Sequence, residues 1–468
     1  MTVIGEDVLA ELQAAVGPAG LKSGEAVKGL DPGINRRNLD CGVLVLPGST
    51  AEVQAVVAIA GRRGIGLVPQ GGRTGLAGAA VTRPGEIAVG FARMARIEAL
   101  DAASGTALVE AGVTLGALAR AAGEAGLSPG IDLGARDSCT IGGMIGTNAG
   151  GMEAFRFGTM RQRVLGLEAV LADGTVVSEL TGVRKANTGY DLKSLMIGAE
   201  GTLGIVTRAV IGLVPCEPAA ATGLVALEGA EAAVALLKRA LARIATPPLR
   251  AEIMWAGHFT ITAGDLGLQQ LATFAAAAGS KAGVYVILEI GGANADQAMA
   301  GLEDLLGAAI EDGLVVDALI AKNEGERRAM WQVREDWAVD RYFPGGLWFD
   351  VSVPLGALGR YAEGVAARLK AHDPALQLYM IGHLGDGNLH VTVNARERLD
   401  GRSDEISPLI YEGLEAEGGA FSAEHGIGLE KQASLLKRCD PGKLKAMQLV
   451  KRALDPGNIM NPGKVLPR

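Results

Sequence analysis

Three glycine-rich segments, each beside a strand-like run, constrain this chain more than any other feature. They are VPQGGRTGLAG (68–78), SCTIGGMIGTNAGG (138–151) and GAEGTLGIVT (198–207). In the first, Gly71, Gly72, Gly75 and Gly78 lack Cβ atoms and accept positive φ, so successive N–H groups can turn toward an anion. The second offers Gly142, Gly143, Gly146, Gly150 and Gly151, with Thr140, Thr147 and Asn148 as polar contacts. Taken singly, each segment is more economically a tight turn. All of them within residues 68–207 point instead to one long anionic ligand, a dinucleotide lying along a domain. The first segment matches neither GxxxxGK[ST] nor GxGxxG, so it signals neither a P-loop nucleotidase nor a Rossmann nicotinamide site.

A chain of 468 residues is expected to form two or three domains. With 49% hydrophobic and 21% charged residues it is an ordered globular protein. A net charge of −8, without a dense Lys/Arg run, argues against nucleic acid as a partner. Apolar runs break well before the roughly 18 residues of a membrane span. Cys41, Cys139, Cys216 and Cys439 stand apart with no CxxC pair, which points to a reduced, cytoplasmic protein without disulfides. The N-terminus reads as an amphipathic helix with Val8, Leu9, Leu12 and Val16 on one face, not as a targeting segment.

From Gly42 to Pro215 strand and helix patterns alternate. Strands are predicted at 42–47, in GIGLVPQGG, and at 86–91, 106–112, 164–174 and 204–215, with a helix over 51–64 opened by Ser49/Thr50 and closed by Gly64. Beyond Pro215 helices are predicted at 230–245, 265–278 and 295–312, and strands at 284–292, 347–354, 376–383 and 389–395. The pattern suits an α+β domain on an antiparallel sheet. Expected boundaries are 1–215, 216–420 and a mostly helical 421–468 whose tail returns to the first domain.

The segments PQGGRTGL, IGGMIGTNAGG and EGTLGIVT resemble the FAD-binding domain of the vanillyl-alcohol oxidase and p-cresol methylhydroxylase flavoproteins. Within that superfamily KANTGYDLKSLMIGAEGTLGIVT (185–207), GHLGDGNLH (382–390) and EHGIGLEK are similar to the D-2-hydroxyacid dehydrogenases, from about residue 40 to NPGKVLP. That branch includes D-lactate, glycolate and D-2-hydroxyglutarate dehydrogenases. The resemblance implies two α+β FAD-binding subdomains, a cap over the flavin and non-covalent FAD. It implies FAD contacts from Pro69, Gln70, Gly71, Gly72, Arg73, Thr74, Gly75 and Leu76, and from Ser138, Thr140, Ile141, Gly142, Gly146, Thr147, Asn148 and Gly151. Glu200, Gly201, Ile205, Val206 and Asn461 complete the set.

The chain has five histidines, and His383, His390 and His425 fall close together. His383, His390 and Glu424 offer two imidazoles and a carboxylate, a donor set for Zn2+ or Mn2+, Zn2+ being the better fit. LGDGN reads as a turn between strand ends, with Asp386 and Asn388 available to fix it or to bond the second ring nitrogens. Any one of these histidines alone would more economically be an ordinary polar strand-end residue. The resemblance makes His383, His390 and Glu424 the metal ligands. His425, next to Glu424, suits a general base for the substrate hydroxyl, the role its motif position has in the family. Arg334 reads on its own as a helix-surface ion-pair residue beside Glu335 and Asp336. The match makes it the cation for the substrate carboxylate.

Relatives that use 2-hydroxyglutarate have a threonine at the position of Ala338, a lysine at Trp348 and an asparagine at Thr392. A second carboxylate would here face an indole without its cation, whereas Trp348 offers apolar contact worth about 1–3 kcal/mol to a substrate side chain. The expected substrate is therefore a D-2-hydroxy acid with a small or apolar side chain, as in D-lactate, bound near Arg334, Trp348, Thr392 and His425. The lesser alternative for Trp348 is a core residue. The alternatives are a D-2-hydroxyglutarate dehydrogenase, a metal-independent FAD oxidase, or a flavin-binding subunit without activity of its own. Lacking a nicotinamide fingerprint, the chain is expected to pass electrons to a protein or quinone, and a homodimer is expected by analogy of fold alone.

Overall fold

The computed structural model describes residues 4–243 and 248–468. The chain forms two compact units, one of Met1–Gly151, Phe157–Cys216 and Glu424–Arg468, the other of Met152–Arg156 and Glu217–Ala423. Among the described residues no helix is long and apolar enough to cross a membrane.

In the first unit the run of buried valines and leucines between residues 43 and 90 forms a four-stranded sheet. Its order is Leu21–Ser23, Val43–Val45, Ile87–Gly90, Leu67–Gln70, the last three strands being parallel. A parallel pair needs a crossover, and the helix Thr50–Arg63 supplies one. Ser49 Oγ accepts from the Glu52 N–H at 3.2 Å to open it, and Gly64 closes it at φ 63°. Val53, Val56, Val57 and Ala60 are its buried stripe. A five-stranded antiparallel sheet follows in the order Ile97–Asp101, Thr106–Glu110, Ile205–Gly212, Val164–Val170, Val176–Glu179. The N-terminal helix Glu6–Val16 buries Val8, Leu12 and Val16 as its pattern predicts.

The second unit is built on a seven-stranded antiparallel sheet. Its order is Asp317–Ile320, Ala219–Leu227, Val284–Gly292, Arg250–Trp255, Gln377–His383, Asn388–Asn394, Leu347–Ser352. Period-two alternation gives this sheet two different faces. Val225, Ile253, Val286, Leu288 and Val391 pack against Ala230–Arg243, Ala295–Glu311, Leu358–His372 and Ser403–Tyr411. Leu224, Met254, Tyr285, Ile287 and Ile381 point the other way, toward Ala256–Asp265, Gln269–Ala278 and Glu324–Glu335. That second face turns polar at one end, where the histidines lie. The α+β class expected from the sequence is the one observed.

Three local expectations are corrected. The glycine segment 138–151 is not all loop, because Ile141–Thr147 is helical, with Thr140 Oγ1 accepting from the Gly143 N–H at 3.3 Å and Ile141, Met144 and Ile145 buried. The helix expected over 265–278 is two helices, Ala256–Asp265 and Gln269–Ala278, with Gly267 at φ 63° between them. The strand expected over 204–215 is two, Ile205–Gly212 in the five-stranded sheet and Val214–Pro215 paired with Leu127–Ser128. Residues 244 and 245 of the helix expected over 230–245 lie outside the described residues.

Candidate active site

His383 ends the strand Gln377–His383 and His390 lies in Asn388–Asn394, paired so that Ile381 faces His390 and His383 faces Asn388. Both imidazoles therefore emerge on the same face, with ring centroids 5.3 Å apart and planes 87° apart. The turn between them is tight. The Gly387 N–H donates to His383 O at 3.0 Å, Gly387 has φ 76°, and Asp386 Oδ1 accepts from the Asn388 N–H at 3.1 Å.

Behind the imidazoles lie two buried carboxylates that sequence reasoning missed. Glu252, opposite His383 in the neighbouring strand, places Oε1 2.8 Å and Oε2 2.9 Å from His383 Nδ1. Asp350 Oδ1 is 4.0 Å from His390 Nδ1. Asp350 also accepts from Asn388 Nδ2 at 2.9 Å and, through Oδ2, from the Ala423 N–H at 3.0 Å. Asn388 thus braces the adjacent strand, while Glu252 and Asp350 face the second ring nitrogens in its stead. With Nδ1 of His383 on Glu252, Nε2 is the ring nitrogen left to face a divalent cation.

Arg334 is buried, not on the surface, and its Nε and Nη2 both lie 2.7 Å from Glu252 Oε2. Burial would raise the Glu252 carboxyl, but the His383 and Arg334 charges outweigh it and hold the group below the ordinary carboxylate range. His258, on the helix Ala256–Asp265, is also buried, 3.4 Å from Val333 O. Burial, with the Arg334 charge, pushes its imidazole down to about 4.

Trp348, Thr392 and Tyr379 form one cross-strand row, adjacent to the row of Asp350, His390 and Ile381 on the same face. Trp348 is 41% exposed and packs edge-on against Trp337 with centroids 4.4 Å apart, so it is not a core residue. Thr392 and Ala338 are buried.

In the first unit the glycine segments meet as backbone against backbone. A Cβ on Gly71 would come 2.5 Å from Thr140 Oγ1, one on Gly72 would overlap Ser138 O, and one on Gly142 would lie 2.7 Å from Ala111 Cβ. A Cβ on Gly75 meets nothing within 4 Å, and one on Gly146 only Glu200 Cα at 3.8 Å. Glycine thus joins the segments and leaves their open edge clear, a cradle suited to the backbone approach an FAD pyrophosphate needs. Leu76 is exposed and Arg73 and Thr74 are half-buried, Gly201 packs on Pro69 at φ 71°, and Gly151 also has positive φ.

Several side chains expected to meet FAD are committed to the protein. Gln70 Nε2 donates to Asn38 O at 2.5 Å and Ala80 O at 2.7 Å. Asn148 Oδ1 accepts from Thr159 Oγ1 and the Arg161 N–H, and Thr147 Oγ1 returns to Gly143 O at 3.3 Å. Asn461 Nδ2 donates to Ala79 O at 3.0 Å and Glu200 O at 2.7 Å. The Glu200 carboxylate accepts from the N–H groups of Ile427 at 2.6 Å and Gly428 at 2.8 Å. Glu424 and His425 open this last segment of the unit, and Glu424 Oε1 accepts from the Gly151 N–H at 3.0 Å.

Comparison with known proteins accords with these features. Residues 42–179 match the FAD binding domain family and residues 217–465 the family of FAD linked oxidases, C-terminal domain. A probable mitochondrial D-2-hydroxyglutarate dehydrogenase of Oryza sativa subsp. japonica is 36% identical over 430 residues, covering 91% of this chain and 75% of its own. The D-2-hydroxyglutarate dehydrogenase of Xanthomonas citri pv. viticola is 35% identical over 434 residues, covering 90% and 88%. Among solved structures, p-cresol methylhydroxylase with bound substrate superposes with a TM-score of 0.74 at 18% identity, covering 98% of this chain and 96% of that one. An alkyldihydroxyacetonephosphate synthase gives 0.71 at 18% identity, covering 98% and 84%. The two structures share the fold.

The chain belongs to the FAD-linked oxidases, in the D-2-hydroxyacid dehydrogenase branch, and shares the fold of p-cresol methylhydroxylase. Its activity is the FAD-linked oxidation of a D-2-hydroxy acid.

Proposed function

We propose that the chain oxidises a D-2-hydroxy acid with a small or apolar side chain to the 2-oxo acid, at a divalent-cation site made by His383, His390 and Glu424. The observation that carries this reading is the pair of buried carboxylates behind the imidazoles, Glu252 on His383 and Asp350 near His390. Carboxylate–histidine pairs of this kind fix the ring that ligates a metal. Chain continuity supports Glu424 as third donor. Its neighbour Ala423 is held on Asp350, and successive Cα atoms are about 3.8 Å apart.

When bound, FAD supplies the hydride acceptor and the cation lowers the pKa of the substrate hydroxyl. His425 takes the hydroxyl proton, as a near-neutral imidazole can. Arg334 offers Nη1 to the substrate carboxylate while its other nitrogens stay on Glu252. Trp348, Thr392 and Ala338 supply no cation for a second carboxylate, and Trp348 provides apolar surface beside the histidine row. The electrons pass on to a protein or quinone acceptor. A second reading, oxidation of D-2-hydroxyglutarate, is favoured by the names of the relatives.

Anaerobic mixing of the purified flavoprotein with a panel of D-2-hydroxy acids, before and after chelation, tests both. Bleaching of the flavin by D-lactate-like acids, abolished by chelator and restored by Zn2+, is the expected result. A rank order led by D-2-hydroxyglutarate would establish the second reading. Bleaching indifferent to chelator would remove the metal.

A further inference from the structure

We propose that Glu200 is a positioning residue for the segment carrying Glu424 and His425, and that its carboxylate serves this turn instead of the flavin. The sequence motif alone suggests the opposite, since Glu200 sits in the glycine segment GAEGTLG that resembles a cofactor loop. In the structure both carboxylate oxygens are spent on the turn. Oε1 accepts from the Ile427 N–H at 2.6 Å and Oε2 from the Gly428 N–H at 2.8 Å. Those two amides follow His425 by two and three residues.

The surroundings are built around this contact. Gly426 has φ 75°, and a Cβ there would come 2.6 Å from Glu200 Oε1, so glycine is required both for the backbone and to admit the carboxylate. Glu200 is itself at φ 52°, an unusual conformation for a side-chain-bearing residue. It is held there by its N–H donating to Gly146 O at 2.8 Å and its carbonyl accepting from Asn461 Nδ2 at 2.7 Å.

On the other flank Ala77 O accepts from the N–H groups of Leu429 at 2.9 Å and Glu430 at 3.2 Å, and Gly428 O accepts from the Val465 N–H at 2.9 Å. The chain just after His425 is therefore gripped from both sides, with the Glu200 carboxylate spanning the Ile427 and Gly428 amides. A proton acceptor and a metal ligand two to four residues upstream inherit their placement from that grip. Positional errors of about 1 Å at such groups are costly to a reaction.

The inference rests on the reading of Glu424 as a ligand and His425 as the base. It is tested on the flavoprotein by Glu200→Gln. The side-chain amide has the same shape but only one accepting oxygen, and its NH2 must face a backbone donor. Zn2+ affinity is measured by chelator competition, flavin content by absorbance, and kcat and KM by turnover with an artificial acceptor.

The expected result is full flavin content, Zn2+ affinity lower by about 10- to 100-fold, and a fall in kcat with KM for the acceptor unchanged. Should E200Q fail to fold, Glu200→Asp, which keeps both oxygens but shortens the reach, is read in the same way. Wild-type Zn2+ affinity and kcat in the variant that folds would overturn the proposal. So would loss of flavin with undiminished Zn2+ affinity, which would return Glu200 to the cofactor. If the wild-type protein takes up no Zn2+ and turns over after chelation, the underlying metal reading fails first, and this inference with it.

Discussion

Glu252 and His383 stand on neighbouring strands, 131 residues apart in the chain, with Oε1 2.8 Å from Nδ1. One fully buried carboxylate thereby sets the tautomer of one proposed ligand and balances the charge of Arg334. Glu252→Gln is expected to lower Zn2+ affinity by about 10- to 100-fold. Glu252→Ala leaves Arg334 buried without its counter-ion and is expected to cost about 3–5 kcal/mol of stability. Chelator competition and denaturant unfolding of the two variants separate these effects, and unchanged Zn2+ affinity in E252Q would detach Glu252 from the metal.

Trp348 occupies the cross-strand row beside that of His390, at a position where the family resemblance implies lysine for a 2-hydroxyglutarate site. Trp348→Lys removes an apolar contact worth about 1–3 kcal/mol and supplies a cation, so specificity should move toward the diacid. The ratio of kcat/KM for D-2-hydroxyglutarate over D-lactate is expected to rise at least about tenfold. No movement in that ratio would place the substrate side chain elsewhere.

His258 should make the second unit sensitive to acid. Its folded pKa, pushed down to about 4 mainly by burial, lies below the ordinary histidine value of 6.5. Between those values the unfolded chain binds the proton and the folded one does not, so stability is full above pH 6.5 and falls as pH drops toward 4. The linkage is on the order of 3 kcal/mol. Thermal unfolding of wild type and His258→Gln between those pH values measures it, and the variant should show the shallower fall.

Gly72 lies where any Cβ would overlap Ser138 O. Gly72→Ala is expected to push the first two glycine segments apart and reduce bound flavin by at least about tenfold, the backbone having no rotamer by which to yield. Gly123→Ala, in open space at the end of the helix Leu115–Gly123 and outside the cradle, is the matched control and should retain flavin. Equal flavin in both variants would mean that the contact between the segments is immaterial to binding.

Patterns confined to neighbouring residues were legible in the sequence. Ser49, the spaced valines and Gly64 define the helix Thr50–Arg63, and LGDGN between two apolar runs defines the histidine turn. Glu252 was not legible, since RAEIMW is an ordinary alternating strand until its partner at position 383 is known. Asp350 likewise is one polar residue of a strand pattern until its pairing with His390 is known. The helix Ile141–Thr147 was hidden by its glycines, which lower helix propensity but permit close packing on Ala111. The motif around Glu200 reports the backbone it sits on and not the direction of its carboxylate, which points to the Ile427 and Gly428 amides.

The first unit is assembled from residues 1–151, 157–216 and 424–468, whereas the second needs only 152–156 and 217–423. A ribosome therefore delivers every residue of the second unit before the last piece of the first has been made. Domains usually mature in the order of synthesis. Here the nascent N-terminal half must wait, unfinished, for the strand bridge at Met460 and the Asn461 amide that ties Ala79 to Glu200. Cofactor loading becomes a late event of synthesis, and a message cut short before residue 424 would yield the second unit without the last piece of the first.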